Sequence, residues 1–348
     1  MNFSKILTCW YSANKRELPW RNTRNPYYIW LSEIILQQTQ IKQGLPYYDA
    51  FVVKFPTVFD LANANEQDVL KLWQGLGYYS RARNLHYTAK YIAIELNGVF
   101  PNNYTDLLKL KGVGDYTASA IASICFDEVS AVVDGNVYRI LSRYFGIHTP
   151  INSTQGIKEF KELASKLICT ENPAEHNQAI MEFGARQCKP QNPDCSICPL
   201  NNSCAALRDN LISTLPVKLK KTKISKKHIN FLVVLCEDHK VLFEKRTKKG
   251  IWQNLYQFPL IETDTDLEAK HFESNPHIKD FFRETHFNFS LYNDKPLIHK
   301  LSHQHLYTKF WIITSDSTWN ESISISDITN FPTPILISNF IDTFDFQL

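Results

Sequence analysis

The sequence predicts a multidomain chain: an all-α region over residues 1–213, a linker over 214–228, and an α+β domain over 229–348. Three observations predict it. Apolar residues recur near the helical period in the first region, as at Leu61, Val69, Leu70, Trp73 and Leu76. Compact β-branched runs appear only in the C-terminal third. Between the two lies a segment rich in lysine with little hydrophobic period, Pro216 to Lys227.

The whole-chain numbers set bounds. With 348 residues the chain exceeds one small core, and 44% hydrophobic with 21% charged residues is the composition of a globule, not of a disordered or fibrous chain. A formal charge of +3 does not by itself point to nucleic acid, so any such face must come from local clustering. No apolar run reaches the length of a transmembrane helix. The N-terminus lacks the features of a secretory signal, so the cysteines are expected to stay reduced.

In chain order, helix breaks are expected at Pro56-Thr57, Gly75-Leu76-Gly77, Asn97-Gly98, Gly112-Val113-Gly114 and Pro150. Ile229–Cys236 and Lys240–Arg246, separated by a short polar turn, predict a β-hairpin, and Leu306–Thr314 predicts a further strand. The linker lysines suit a phosphate backbone or, equally, a solvated connector.

Four of the eight cysteines are scattered among apolar residues (Cys9, Cys125, Cys169, Cys236) and are expected to pack in the core. The other four, Cys188, Cys195, Cys198 and Cys204, follow C-x6-C-x2-C-x5-C. Four soft thiolates on one loop suit zinc or an iron–sulfur cluster. Structural zinc sites usually pair two C-x2-C knuckles, and only one occurs here. The asymmetric spacing therefore favours the larger cluster, [4Fe–4S].

Leu110–Ala118 places Gly112, Val113 and Gly114 between two helical runs. Two glycines permit a tight turn of positive φ and expose backbone N–H groups beside a helix N-terminus. Such a turn holds one phosphate without reading sequence, although a glycine-capped interhelical turn is common. The full nine-residue run beside the cysteine quartet favours the phosphate.

Glu33 sits among strongly apolar neighbours, Tyr28 to Leu36. Buried, its carboxyl would rise toward neutral pH and suit a proton donor; pointed at solvent, it would be ordinary. The pattern alone leaves both open. Asp134, in Val133-Asp134-Gly135-Asn136-Val137, reads first as a helix N-cap. A cap aspartate is also an anion held by N–H donors, as stabilising a developing cation requires. An acid and an anion together are what cleavage of an N-glycosidic bond uses.

These motifs resemble the adenine DNA glycosylases of the helix–hairpin–helix superfamily. The likeness is dense from Arg16 to Cys204 and looser beyond: Arg16–Arg21, Ser32-Glu33 with Leu36–Gln40, Gly75–Leu85, the hairpin, Asp134 and the quartet. It implies a six-helix domain over about 25–134 and a cluster domain from 1–24 with 135–213. It also implies removal of adenine mispaired with 8-oxoguanine after base flipping. Glu33 would protonate adenine N7, Asp134 would stabilise the sugar cation, and Tyr116 would stand beside Asp134. Trp20, Arg21 and Glu182 match adenine-pocket positions, and Gln38 and Tyr78 match residues wedged into the duplex.

The C-terminal part resembles a Nudix-like module that recognises 8-oxoguanine, through Gly250–Pro259 and His299-Lys300-Leu301-Ser302-His303. Ser302 and His303 fall in its lesion-reading loop, with Leu301 where the family carries Phe. No glutamate-rich hydrolase box follows Pro259, so nucleotide hydrolysis is not expected. The rivals are a glycosylase/lyase acting on oxidised pyrimidines and a non-catalytic iron–sulfur DNA-binding protein. The lyases carry a lysine where this chain has Tyr116, since a Schiff base needs an amine. The expected partner is mispaired duplex DNA, bound by a monomer; clamp and mismatch-repair proteins are candidate contacts. A bacterial cytoplasmic, nucleoid-associated setting is expected because the motifs begin near Arg16, leaving little room for a transit peptide.

Overall fold

The computed structural model describes residues 3–220, 224–236, 239–283, 285–315, 319 and 321–346. Its helices are α1 (Phe3–Asn14), α2 (Pro26–Ile35), α3 (Ile41–Lys54), α4 (Val58–Asn63), α5 (Glu66–Leu72), α6 (Ser80–Glu95), α7 (Tyr104–Leu107), α8 (Asp115–Phe126), α9 (Gly135–Phe145), α10 (Thr154–Leu167), α11 (Pro173–Arg186) and α12 (Ala205–Arg208). Strands β1 (Ser225–Cys236), β2 (Lys240–Leu242), β3 (Glu244–Lys245), β4 (Tyr256–Gln257) and β5 (Leu260–Thr263) follow. Then come α13 (Pro276–Phe282), β6 (Phe287–Leu291), β7 (Leu297–Lys300), β8 (Gln304–Ser315), β9 (Ser322–Ser324) and α14 (Ile335–Thr343). Among the described residues, no helix is long and apolar enough to cross a membrane.

The chain divides into two compact units, residues 1–63 with 84–220 and residues 64–83 with 221–348. In the first, local signals fix the helix ends. Asn25, Asn103, Asp134, Ser153 and Asn172 each cap a helix with a side-chain oxygen on a first-turn amide. α1 lies on α11 through Trp10 against Phe183, ring centroids 5.0 Å apart, and through Ser4 Oγ, 2.7 Å from His176 Nδ1. α8 packs on both α2 and α11, so the hairpin helix sits at the centre of the unit.

In the second unit β1 and β8 run parallel over eleven residue pairs, Ser225↔Gln304 to Leu235↔Thr314. They form the middle of a sheet ordered β6-β8-β1-β2-β9, with β5 also on β1 and β7 also on β8. Side chains alternate between its faces. Leu232, Val234, Trp311 and Ile313 meet Phe272, Ile278 and Phe282. Phe231 stacks on Phe310, which stacks on Phe340 of α14 at 4.2 Å. The expected hairpin is present at Leu235↔Val241, but after Leu242 the strand turns away and β3 pairs with β4 instead.

Residues 64–83, expected within the helical domain over 25–134, pack with the C-terminal part, and three other expectations change. Lys71 Nζ donates to the carbonyls of Thr329 and Phe331, Asn254 Nδ2 donates to Glu66 Oε1 at 2.6 Å, and Tyr79 Oη donates to Thr333 O at 3.0 Å. The linker is shorter than 214–228, because β1 begins at Ser225: a ladder satisfies backbone groups whatever the side chains are. At its other end Leu219 N–H donates to Asn152 Oδ1, and Lys221, Thr222 and Lys223 lie outside the described residues. Gly112 has φ 84° whereas Gly114 is extended at φ −97°, since an N-cap takes the β region. Finally Cys9 of α1 is exposed, and Cys125 near the end of α8, Cys169 in the loop after α10 and Cys236 at the end of β1 are only partly buried.

Candidate active site

Glu33 is on the last turns of α2, a helix that Asn25 caps and whose residues are nearly all buried. The residue is 9% exposed. Burial pushes its pKa up to about 7; the Tyr116 hydroxyl that hydrogen-bonds it and the Arg21 charge pull down, while Asp134 adds to the rise. The open question of its orientation is resolved: the side chain points inward.

Asp134 caps α9. Its Oδ1 accepts the N–H groups of Asn136 and Val137, both at 2.8 Å, and its Oδ2 accepts Asn136 Nδ2 at 2.8 Å. Burial raises this carboxyl, and the three donors work against that rise and hold its charge. Tyr116, on the first turn of α8, feels both carboxylates, and its hydroxyl also donates to Met181 Sδ at 3.1 Å. Its phenol is raised well above the usual range, first by burial and then by the two anions. Its hydroxyl keeps its proton and hydrogen-bonds Glu33.

A second charged group stands behind the first. Glu182 of α11 is 1% exposed, and its Oε2 accepts Arg21 Nη2 at 2.7 Å and Arg16 Nη2 at 2.5 Å. Arg16 also donates from its backbone N–H and its Nε to Oε1. Burial acts to raise Glu182, but the two guanidiniums outweigh it and hold the carboxyl at about 2. Trp20 is buried edge-on against Tyr48. Arg21 therefore links the Glu182 group to Glu33.

The hairpin presents Gly112 and Gly114 to solvent with Val113 buried beneath. Gly114 caps α8 without any side-chain acceptor, leaving first-turn amides facing outward. A Cβ at Gly114 would meet nothing within 4 Å, so a ligand can approach the backbone closely. Gln38, just after α2, and Tyr78 both hold positive φ, 56° and 47°. Such strain in non-glycine residues collects at functional positions.

The four clustered cysteines are half-buried, and each of Cys195, Cys198 and Cys204 lies within Coulombic reach of Cys188. Backbone amides near Leu200 and Leu207 point at the sulfurs of Cys198 and Cys204. Arg143, 2% exposed, has Nη1 3.5 Å from Cys188 Sγ and braces the loop through the carbonyls of Lys189, Pro190 and Leu215. It has no carboxylate partner among the described residues. A buried cation and N–H donors aimed at sulfur fit an anionic thiolate–iron centre.

Residues 31–166 match the HhH-GPD superfamily of base excision DNA repair proteins, and 188–204 match the iron–sulfur binding domain of endonuclease III. Residues 230–343 match the NUDIX domain. An adenine DNA glycosylase of Buchnera aphidicola subsp. Baizongia pistaciae is 37% identical over 89% of this chain and 86% of its own length. The chain belongs to the adenine DNA glycosylase family. Another member, from Buchnera aphidicola subsp. Schizaphis graminum, is 39% identical over 75% of each chain. A solved thermostable thymine-DNA glycosylase superposes with TM-score 0.56 at 30% identity, covering 60% of this chain and 95% of that one. The architecture is thus a helix–hairpin–helix glycosylase with an iron–sulfur domain and a Nudix-like second unit. Its cofactor is an iron–sulfur cluster, and the residues spanning the match include all four cysteines.

Within the second unit of this glycosylase, a cavity of about 570 Å³ is lined by Tyr78, Trp252, His299, Leu301, Ser302 and His303 among others. Tyr78 Oη and Ser302 Oγ are 2.7 Å apart across it. Ser302 and His303 are exposed on the turn between β7 and β8, closed by Leu301 N–H on Gln304 O. Sequence reasoning does not reach three residues that hold the catalytic segments. Arg16 grips Glu182 from 166 positions away. Asn177 accepts from Val132 N–H and donates to Ser130 O and Ser123 Oγ. Lys161 binds Asp115, Ser119 and Ala131. An amphipathic helix is the only sequence signal at Lys161 and Asn177, and it does not say which polar residue turns inward.

Proposed function

We propose that the enzyme hydrolyses the N-glycosidic bond of adenine mispaired with 8-oxoguanine or guanine in duplex DNA, as a monofunctional glycosylase. The observation that carries this reading is Glu33, buried, hydrogen-bonded to Tyr116 and raised to about 7, with the capped anion of Asp134 near enough to add to that rise. The mispaired adenine leaves the stack, because its glycosidic bond cannot be reached inside the duplex. Glu33 gives its proton to adenine N7, which makes the base a neutral leaving group. As the C–N bond breaks, positive charge grows on the sugar, and Asp134 stabilises it. Water then adds to the sugar carbon and returns a proton to the Glu33 carboxylate, leaving free adenine and an abasic site.

Arg21 and Glu182 hold the pocket wall by Trp20, and the hairpin amides hold a phosphate. The [4Fe–4S] cluster on the four cysteines, when bound, fixes the loop that starts at Arg186 and Lys189, and supplies no chemistry to the step. Hydrolysis without lyase activity is supported by Tyr116 and by Lys111, whose ammonium lies over the Tyr87 ring, 4.3 Å from its centroid. Recognition of 8-oxoguanine is supported by the Nudix-like unit and by the Tyr78–Ser302 contact. One chain suffices, since both carboxylates, the hairpin and the cysteines belong to one unit.

The test is excision from duplexes carrying adenine opposite 8-oxoguanine, adenine opposite guanine, or an oxidised pyrimidine, with and without alkali. Strand breaks only after alkali and only on the adenine duplexes are expected. Glu33→Gln should bind the duplex and lose excision by about 10²- to 10⁴-fold. An active Glu33→Gln enzyme, or breaks without alkali at oxidised pyrimidines, would overturn the reading.

A further inference from the structure

The chain carries a formal charge of only +3, so a local surplus of cations is informative. One lies at the end of β3 and in the loop after it, where Lys245, Arg246, Lys248 and Lys249 come just before Gly250. Beneath it is a cavity of about 250 Å³ lined by Lys227, Arg246, Lys249, Gly250, His303 and Glu262, among others. Glu262 is spoken for, with Lys227 Nζ 2.9 Å from its Oε2. Arg246 spends its Nε on the Ile251 carbonyl at 3.1 Å, which orients the guanidinium. Neither Arg246 nor Lys249 makes a carboxylate ion pair among the described residues; Glu244 acts on Arg246 only at Coulombic range. Gly250 takes φ 134°, and a side chain's first carbon there would meet nothing, so the rim is open.

We propose that this pocket is a phosphate-binding site for the DNA backbone, gripping the strand through Arg246, Lys249 and Lys227. Its place decides the ligand. The pocket shares Gly250, Ile251, Trp252 and His303 with the larger cavity lined by Tyr78 and Ser302. A nucleotide joins base and phosphate through a single sugar. A base held in the larger cavity therefore brings a backbone phosphate beside the smaller. The inference rests on the lesion-reading role proposed above for that larger cavity, and it assigns the second unit a grip on the strand in addition to that role.

The test measures binding of the full iron–sulfur protein to duplexes carrying adenine opposite 8-oxoguanine or guanine, from 50 to 200 mM salt. Lys249→Gln and Arg246→Gln should each weaken binding to both duplexes alike and make the log–log salt slope shallower by about one. Lys249→Arg should restore the slope, and Glu262→Gln should tighten binding. An unchanged slope in a Lys249→Gln protein of normal unfolding midpoint would overturn the site. A parallel titration uses free 8-oxo-dGMP: a variant that loses this nucleotide while keeping the wild-type slope on duplex would also overturn it. Failure of the lesion-reading role shows separately, as equal affinity of the wild type for the two duplexes.

Discussion

Lys161 Nζ lies 3.0 Å from the carboxylate of Asp115, the residue that precedes Tyr116. The same ammonium donates to Ala131 O at 2.8 Å, three residues before Asp134, and to Ser119 Oγ at 3.0 Å. One side chain from α10 thus ties the start of the hairpin helix to the strand of chain that delivers the cap aspartate. It also neutralises an acid that would otherwise repel a phosphate at the hairpin.

Lys161→Met is expected to cost about 1–2 kcal/mol, the worth of hydrogen bonds to a partly exposed charge. Single-turnover excision should fall more than DNA affinity at low salt, and Lys161→Arg should recover part of both. Equal stability and unchanged excision in Lys161→Met would show that the two segments hold themselves.

Glu33 stands at about 7 in the folded chain against the 4.5 of an exposed side chain. Between those values the folded state keeps a proton that the unfolded state has lost, so this group's contribution falls as pH rises. The loss is about 3 kcal/mol, complete above the folded value. Glu33→Gln should therefore be the more stable protein at pH 8, with the advantage gone below pH 4.5. Wild-type excision should decline through about 7 on the alkaline side. Denaturant titrations at the two pH values and a single-turnover pH profile measure both.

Glu182 shows the opposite sign. Held at about 2 by Arg16 and Arg21 in spite of burial, it stabilises the fold above the unfolded value and loses that contribution as pH falls toward 2. Removing its charge strands two cations, and Glu182→Gln is expected to destabilise by about 3 kcal/mol or more. Arg21, freed from its partner, would bear harder on Glu33. The excision profile of whatever Glu182→Gln enzyme folds should move to lower pH, and a profile that stays in place would disconnect the two groups.

The two hairpin glycines should behave differently. Gly112 has φ 84°, and a Cβ there would stand 2.8 Å from Asn84 Cβ. Gly112→Ala is expected to lose about 1–2 kcal/mol from the left-handed backbone alone. At Gly114 the backbone is extended and the space is open, so Gly114→Ala should fold normally and bind duplex more weakly. Thermal midpoints and anisotropy titrations on the two variants separate folding from phosphate contact.

Local chemistry was legible in the sequence, and long-range choices were not. Asp134 declares itself as a cap because its partners are two and three residues away. The cysteines and the hairpin are compact for the same reason. Glu33 could be narrowed only to two orientations, because apolar neighbours on a helix do not say which face looks inward. Arg16 lies in the Arg16–Arg21 motif without an assigned partner, and Lys161 lies in no motif; tertiary packing brings Glu182 and Asp115 to them. The parallel pairing of β1 with β8 joins runs that each look like strands and give no sign of their register. The likeness of Gly75–Leu85 to a family motif carried no sign that its neighbours would be Thr333 and Gln253, far along the chain.

That last placement bears on how the polypeptide is made. The segment 64–83 leaves the ribosome early, yet Glu66, Lys71, Gln74 and Tyr79 find their partners at Asn254, Thr329, Ser338 and Thr333. At ordinary rates of synthesis, about 5–20 residues per second, α5 waits on the order of ten seconds or more for them. During that wait Glu66, Lys71 and the rest of the segment cannot make these contacts. A nascent chain halted before α14 should expose the segment to chaperones and proteases, so a premature stop near the end would damage more than the part it deletes.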